Sequence, residues 1–392
     1  MVLSAHLNTE PTWRGGEQQT LYLLEGLLRR GHVAVLFCPR GSPLAARAGS
    51  AGIDVRPLAV RSEGDVPAIL RLAGHLRRLA PEVLHMHTSH AHTVGVCAAT
   101  LSGRSIRRIV SRRVDFSIYR HSFLGLNGIK YAVGVDRYLA VSNVIRDVLV
   151  ADGVNASRVG VVHSGVDPDR FRDASAAWRA AFLEDLGLAH GTPIVGTVAA
   201  LASHKGLEHL IDAAADLVKR RECAFAVAGE GSLRAELERR IADRGLERRF
   251  RLLGFQERVG DFLAGIDVFA FPSVAEGLGT SLLDALALER PAIASRAGGI
   301  PEIIEDGENG LLAAPGDARS LADGIERILG EPELARRLGT AGRRTVLERF
   351  SVDAMVDKTL AAYHEVIARR RPGAPLAPVG SGSPGEVDGR RS

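Results

Sequence analysis

The segment PSVAEGLGTSLLDALALERPAIASRAGGIPE, residues 272–302, concentrates the residue types that could handle an anion and a polyol together. Glu276 is followed by Gly277, Leu278 and Gly279, and a helical stretch opens near Thr280 with Asp284 one turn in. Two glycines let a backbone approach a ligand closely, and the unpaired amides of Gly279, Thr280 and Ser281 at a helix start suit a diphosphate. Glu276 beside that anion is placed to accept hydrogen bonds from sugar hydroxyls, and Asp284 to hold a second diol. A plain helix start with acidic residues near it needs neither the paired glycines nor the second turn, Ala297-Gly298-Gly299.

Other clusters compete for attention. In VLHMHTSHAH, His85 and His87 fall on one face of a strand, with His90 and His92 just beyond it. Four histidines suggest zinc, but no Asp, Glu or Cys accompanies them, so no metal is expected; acceptor-side contact or packing is the expectation, with His87 and His90 the acceptor-site candidates. The triplet Asp167-Pro168-Asp169 has the form of a metal-binding DxD, yet Pro and Asp also build turns, and a turn is the expectation.

Residues that must converge from distant positions need a scaffold. Short apolar runs alternate with amphipathic stretches, as in a parallel sheet covered by helices on both faces. Strands are predicted near Val2 to Leu7, Val33 to Cys38, Val55 to Leu58, Val83 to His87, Arg108 to Ser111, Arg137 to Val141 and Gly160 to His163. Helices are predicted over Gln18 to Arg30 and Pro67 to Leu79. The pattern restarts at Pro193, with strands near Ile194 to Ala199, Ala224 to Ala228, Phe250 to Leu253, Val268 to Phe271 and Ala292 to Ser295. Three helical stretches follow, Arg319 to Leu329, Glu333 to Glu348 and Val352 to Arg371. The expected organisation is an α/β protein of two doubly wound domains, 1–165 and 193–371, joined by a linker over 166–192. A Pro/Gly/Ser-rich tail, 372–392, is expected to be disordered. In open parallel sheets ligands bind beyond the carboxyl ends of the strands, so two such sheets face each other across a cleft walled by strand-to-helix loops.

A chain of 392 residues, 46% hydrophobic, supports two cores. Its three cysteines, Cys38, Cys97 and Cys223, stand far apart, which argues against a disulfide framework or a structural zinc. The opening MVLSAHLN lacks a basic n-region and cleavage site, and no apolar run reaches the roughly 18–20 residues of a membrane span, so a cytoplasmic protein is expected. The net charge of +4 is uneven: residues 1–165 hold 20 Lys and Arg against 11 Asp and Glu, and residues 166–371 hold 28 against 33. Much of the excess lies in Arg107, Arg108, Arg112, Arg113, Arg120 and Lys130, either a solvated basic face or a surface for anionic lipid or an anionic acceptor. No recognition-helix, RNP or zinc-finger pattern accompanies it, which excludes nucleic acid as the expected partner.

EGLGTSLLD resembles the E-x7-E signature of retaining GT-B glycosyltransferases of the group-1/family-4 type, and PAIASRAGGIPEII resembles the segment that follows it. NTEPTWRGGEQQ (8–19) is similar to the family's N-terminal glycine loop, VVHSGVDPDRF (161–171) to its domain connection, VAALASHKG (198–206) to its phosphate-binding lysine loop, and VAGEGSLR (227–234) to its base-side turn. The resemblance implies that Lys205 contacts the donor diphosphate, Glu276 the transferred sugar and Asp284 the ribose. Gly277, Leu278, Gly279 and Thr280 would surround phosphate or sugar, Gly15 and Gly16 would approach the phosphate from the other domain, and Gly229, Glu230, Gly231 and Phe255 would line the base. The substrates implied are a nucleoside-diphosphate sugar and a saccharide or lipid-linked acceptor, with no cofactor.

This sequence departs from the pattern at four points. Ala200 stands where relatives usually carry an arginine, Asp284 replaces a glutamate, and Glu289 replaces a glycine expected at a helix C-cap. The N-domain histidine of many relatives has no counterpart, since IVSRRVDF puts Arg112, Arg113 and Asp115 there. Arg112 and Arg113, or His204, could supply the missing positive charge. Two other functions fit the same layout: a nucleotide-sugar epimerase, which needs proton-moving carboxylates beyond Glu276 and Asp284, and a non-catalytic scaffold, which needs neither Lys205 nor Glu276.

Overall fold

The computed structural model describes residues 1–114, 117, 130, 131 and 133–369. The first seven apolar runs become β1 (Leu3–Leu7), β2 (Val33–Cys38), β3 (Asp54–Pro57), β4 (Val83–Met86), β5 (Arg107–Arg112), β6 (Arg137–Ala140) and β7 (Val159–Val161). They form one parallel sheet in the order β3-β2-β1-β4-β5-β6-β7. The second sheet contains β8 (Ile194–Val198), β9 (Ala224–Ala228), β10 (Phe250–Gly254), β11 (Val268–Phe271), β12 (Ala292–Ser295) and β13 (Leu311–Ala313), in the order β10-β9-β8-β11-β12-β13. Strands such as Ala224–Ala228 are buried along their whole length, which is why they read as unbroken apolar runs instead of alternating ones. The three-residue β13 was invisible to pattern analysis because no periodicity can be expressed in so short an edge strand.

Strand order reverses between β1 and β4 in the first sheet and between β8 and β11 in the second. These switch points leave a crevice beyond the strand ends, because the flanking connections run to opposite faces. The helices that pack the faces start at polar caps: the side chains of Ser42, Asp65, Thr88, Ser142, Asp317 and Ser351 each accept a backbone N–H from the first turn.

Two segments pack differently from the boundaries drawn on sequence. The helix Val352–Ala368, grouped there with the C-terminal domain, lies on the N-terminal sheet. Its Tyr363 hydroxyl shares a 2.7 Å hydrogen bond with His85 Nδ1, and Arg30 forms ion pairs of 2.9 Å with Asp353 and Asp357. The helix Trp178–Asp185, inside the stretch expected as linker, packs on the C-terminal unit: the Trp178 indole donates to the Asp261 carbonyl at 2.9 Å and Arg179 pairs with Asp267 at 2.7 Å. The tail 372–392 lies outside the described residues.

The basic run after Arg104 is not a solvated face where it is described. Arg107 pairs with Asp136 at 3.4 Å, Lys130 with Glu63 at 2.7 Å, and Arg112 donates to the Tyr131 hydroxyl at 2.8 Å. Arg120 lies outside the described residues.

Glu289 ends its helix in the left-handed region at φ +57°, where a Cβ is strained and glycine is not. Its ion pair with Arg343 is 3.8 Å long and solvent-exposed, so little is lost with the side chain. Glu289→Gly is therefore expected to stabilise the protein by about 1 kcal/mol in urea unfolding.

His6, His85, His87 and His92 are all buried. Burial pushes His6 and His92 down to about 3, and His85 and His87 well below their ordinary value. The unfolded chain takes up protons near pH 6.5 that the folded chain refuses. Stability is thus intact above that pH and declines as pH falls toward the folded values. Urea midpoints measured from pH 7.5 to 5.5 should therefore drop as the pH falls. The drop should be shallower in His92→Phe.

Candidate active site

The loops that leave the switch point of the second sheet bring Lys205 and Glu276 together. Lys205 closes a short 3-10 turn, Ser203–Lys205, after β8, and Glu276 follows β11. The Lys205 ammonium forms an ion pair with Glu276 Oε2, to which the Ser273 hydroxyl also donates at 3.4 Å. Both side chains are mostly shielded from solvent, with 17% and 13% exposed, so this charge pair acts in a medium less screening than water. Gly279 turns the loop into the helix Thr280–Ala287 at φ +105°, and no side chain caps that N terminus. Among the described residues its first amides therefore have no side-chain acceptor, and the buried Leu278 anchors the loop beneath them. The second glycine turn supports this loop from behind: a Cβ on Gly298 would lie 1.8 Å from the Glu276 carbonyl oxygen, which accepts the Gly299 amide at 3.0 Å.

The N-terminal sheet presents its own loops opposite. The helix Gly15–Arg29 begins with Gly15 and Gly16. A Cβ on Gly15 would come within 2.7 Å of the Thr280 hydroxyl, and one on Gly277 within 2.3 Å of the Arg113 carbonyl oxygen. The two glycine loops thus meet across the cleft at distances that only glycine permits.

Two residues that sequence reasoning missed hold this approach. Glu302, from AGGIPE, accepts from the Asn143 amide at 2.7 Å, the Asn143 side chain at 2.8 Å, the Val144 amide at 3.3 Å and His163 Nε2 at 2.9 Å. Burial alone would raise its pKa, but these hydrogen bonds bring it below the ordinary value. It clasps the N terminus of the helix Asn143–Ala151 of the opposite sheet. Arg170 lies 3.6 Å from Asp284 and donates to the Tyr22 hydroxyl at 3.0 Å. Burial pushes Asp284 up while Arg170 draws it down, and burial wins. Both Arg170 and Glu302 stand inside quoted segments, DPDRF and AGGIPE, but only the fold shows what they reach.

The remaining expected residues divide. Gly229, Glu230 and Gly231 form the turn after β9: the Gly229 amide donates to Gly254 at 2.8 Å, and Glu230 accepts the Leu201 amide at 2.9 Å through its carbonyl. Phe255 follows β10 and is 55% exposed. Asp167 accepts the Asp169 amide at 3.0 Å and Asp169 pairs with Arg172 at 2.9 Å, as a turn requires.

His87 is a correction. Its ring is buried against His6 and His85, with His6 Nδ1 3.1 Å from His87 Nε2, and does not reach an acceptor. His90 is exposed on the first turn of the helix Ser89–Leu101. Arg112 is likewise buried and donates to the Tyr131 hydroxyl, whereas Arg113 lies against Gly16. Among the described residues the one group of metal-binding type is His6, His85 and His87, whose nitrogens lie within 4.8 Å of one another. Both nitrogens of His6 and of His85, and Nε2 of His87, are already shared with Ser4, Ser111, Tyr363 or each other, and the neighbouring Arg113 opposes a dication.

Both halves of the chain match glycosyltransferase families. Residues 13–170 match the Glycosyltransferase Family 4 model, and residues 179–345 match Glycosyl transferases group 1. The fold is that of the GT-B class: Anabaena Alr3699/HepE, solved in complex with UDP and glucose, superposes with a TM-score of 0.82 at 20% identity, covering 93% of this chain and 100% of that one. Alpha-D-kanosaminyltransferase of Streptomyces kanamyceticus is 34% identical over 201 residues, 50% of this chain and 52% of that protein. The lipopolysaccharide core biosynthesis glycosyltransferase LpsE of Rhizobium meliloti is 33% identical over 178 residues, 45% of this chain and 50% of that protein. The chain thus aligns with about half the length of these curated relatives. Among the described residues no helix is long and apolar enough to cross a membrane.

Removing the Glu302 clasp tests the domain approach directly. Hydrogen bonds to a charged group contribute about 2 kcal/mol, so Glu302→Ala should lower the melting temperature by roughly 5 °C. Small-angle scattering should show an increased radius of gyration. Unchanged dimensions would mean that the clasp is incidental to the approach.

Proposed function

We propose that the protein transfers a sugar from a nucleoside-diphosphate sugar to an acceptor hydroxyl with retention at the anomeric carbon, the acceptor being a lipid-linked or surface-polysaccharide saccharide. The observation that carries this reading is the Lys205–Glu276 pair beside the uncapped helix at Thr280, facing Gly15 and Gly16. In the reaction the bond from the anomeric carbon to the diphosphate breaks, with its electron pair going to the phosphate oxygen. A new bond forms to the acceptor oxygen, whose proton passes to the departing diphosphate. Lys205 and the helix amides stabilise the developing negative charge, and Glu276 holds the sugar hydroxyls. Asp284 holds the ribose diol, and Gly229 to Gly231 with Phe255 form the base wall. Closure of the glycine loops keeps water from the donor.

The half-length matches to an aminosugar transferase and to a lipopolysaccharide core enzyme support a saccharide acceptor. A lipid-linked acceptor places the work at the inner face of the cell membrane, with peripheral contact there. No metal enters this scheme, since positive charge comes from side chains and amides.

A panel of UDP- and GDP-linked sugars tested for thermal stabilisation checks the reading. One donor should raise the melting temperature of the wild type by several degrees, as a ligand bound only by the folded state does. Lys205→Ala and Glu276→Ala should abolish that shift while keeping the unliganded melting temperature within a few degrees. No shift with any donor would favour a scaffold, and donor consumption without added acceptor would favour an epimerase.

A further inference from the structure

A departing nucleoside diphosphate carries at least two negative charges, and Lys205 already shares its charge with Glu276. A second cation would complement Lys205 and the helix amides on the phosphate, and the N-terminal wall contains one. Arg113 follows β5 directly, at the carboxyl end of the first sheet. A Cβ on Gly16 would be 3.7 Å from its Cδ, and its own carbonyl oxygen lies against Gly277, so the residue is anchored where the two glycine loops meet. One terminal nitrogen donates to the His87 carbonyl at 3.2 Å, while its Nε is buried with no hydrogen-bond partner among the described residues. A buried guanidinium left partly unsatisfied is unfavourable unless an anion completes it. The opposite charge acting on it is Glu17, in the first turn of the glycine-led helix, which is itself buried and bonded to Asn8 at 3.2 Å. Burial pushes the guanidinium down to about 10, so it stays charged at neutral pH.

We propose that Arg113 binds the donor diphosphate from the N-terminal domain, opposite Lys205, with Glu17 as the internal carboxylate whose charge the phosphate competes with. This rests on the proposed function. Gly16 gives the phosphate access to the guanidinium, whose planar fork matches a phosphate in a way a lysine cannot. Because Arg113 sits on one sheet and Lys205 on the other, the diphosphate bridges the two domains, and its binding favours their closure.

Calorimetric titration of UDP, GDP and the matching monophosphates into the full chain tests this with three variants. Arg113→Gln should weaken the preferred nucleoside diphosphate 10- to 100-fold and the monophosphate less than threefold, while Arg113→Lys should recover part of the loss. Glu17→Gln should act in the opposite direction and tighten the diphosphate several-fold, an effect that a purely structural role for the pair does not produce. Equal losses for diphosphate and monophosphate in Arg113→Gln overturn the proposal. So does unchanged diphosphate affinity with a raised KM for the acceptor, which assigns the cation to acceptor binding. If Arg113→Gln does not fold, Arg113→Lys and Glu17→Gln decide on the same criterion. A wild type that binds no nucleoside diphosphate overturns the proposed function instead.

Discussion

Val166 donates its amide to the Phe350 carbonyl at 2.8 Å and accepts the Val352 amide at 3.2 Å, so the two stretches of chain that pass between the sheets run side by side. A Cβ on the preceding Gly165 would come within 2.7 Å of Val352 Cα, and its amide and carbonyl are both engaged by Gln19 at 2.7 Å. This double crossing fixes the pivot about which two separate parallel sheets can face each other. With the pivot set, the carboxyl ends of β1 and β4 oppose those of β8 and β11, and each loop in the cleft inherits its position from that alignment. The helix Val352–Ala368 completes the device by returning to the first sheet, where Tyr363 fastens it to His85. Two chain crossings resist twisting where one would swivel, while still permitting a hinge motion that opens the cleft.

The cleft built on this pivot is lined by cations with carboxylates nearby: Lys205 pairs with Glu276, Arg170 pairs with Asp284, and Glu17 acts on Arg113 through its charge alone. Such pairing avoids the large penalty of isolated buried charge. It also means that a ligand gains affinity by exchange, not by meeting bare cations. Under the proposed function, a phosphate would take the ammonium or guanidinium, and the released carboxylate would be free to accept from sugar hydroxyls. One entering molecule that carries both an anion and a polyol satisfies both partners of a pair. Neither an anion nor a polyol alone does so, which makes the pairing a source of selectivity.

The doubly wound architecture was legible because buried parallel strands leave unbroken apolar runs, and twelve of these were placed within one or two residues by composition alone. The glycine loops were legible for a related reason: close backbone approach demands glycine, and Gly277, Gly279 and Gly298 record that demand in the sequence. Even Glu289 announced a strained cap, since a helix end in the left-handed region normally shows glycine. What sequence could not give was the identity of partners. His87 and Arg112 alternate with residues that face the other way, and which face of β4 or β5 meets the cleft depends on the return of the C-terminal helix, a contact made across more than two hundred residues. Glu302 and Arg170 were hidden similarly, because a single acid or base in a turn carries no period.

Three of the buried histidines, His6, His85 and His87, bear on the same point. His6 and His85 are cross-strand partners on β1 and β4, at the switch point of the first sheet, and His87 lies one pleat further toward the cleft. In the second sheet the equivalent crevice between β8 and β11 opens on Lys205 and Glu276. In the first it is filled by neutral imidazoles tied to Ser4, Ser111 and Tyr363. Filling the crevice with polar rings, each needing a partner, makes the position of the C-terminal helix specific, because a shift of that helix would leave His85 unsatisfied in the interior. The His87 carbonyl, at the end of this stack, then holds the Arg113 side chain at the cleft. The histidines therefore act at a distance from any substrate, through the rigidity they give to the wall that carries Arg113 and the glycine loop.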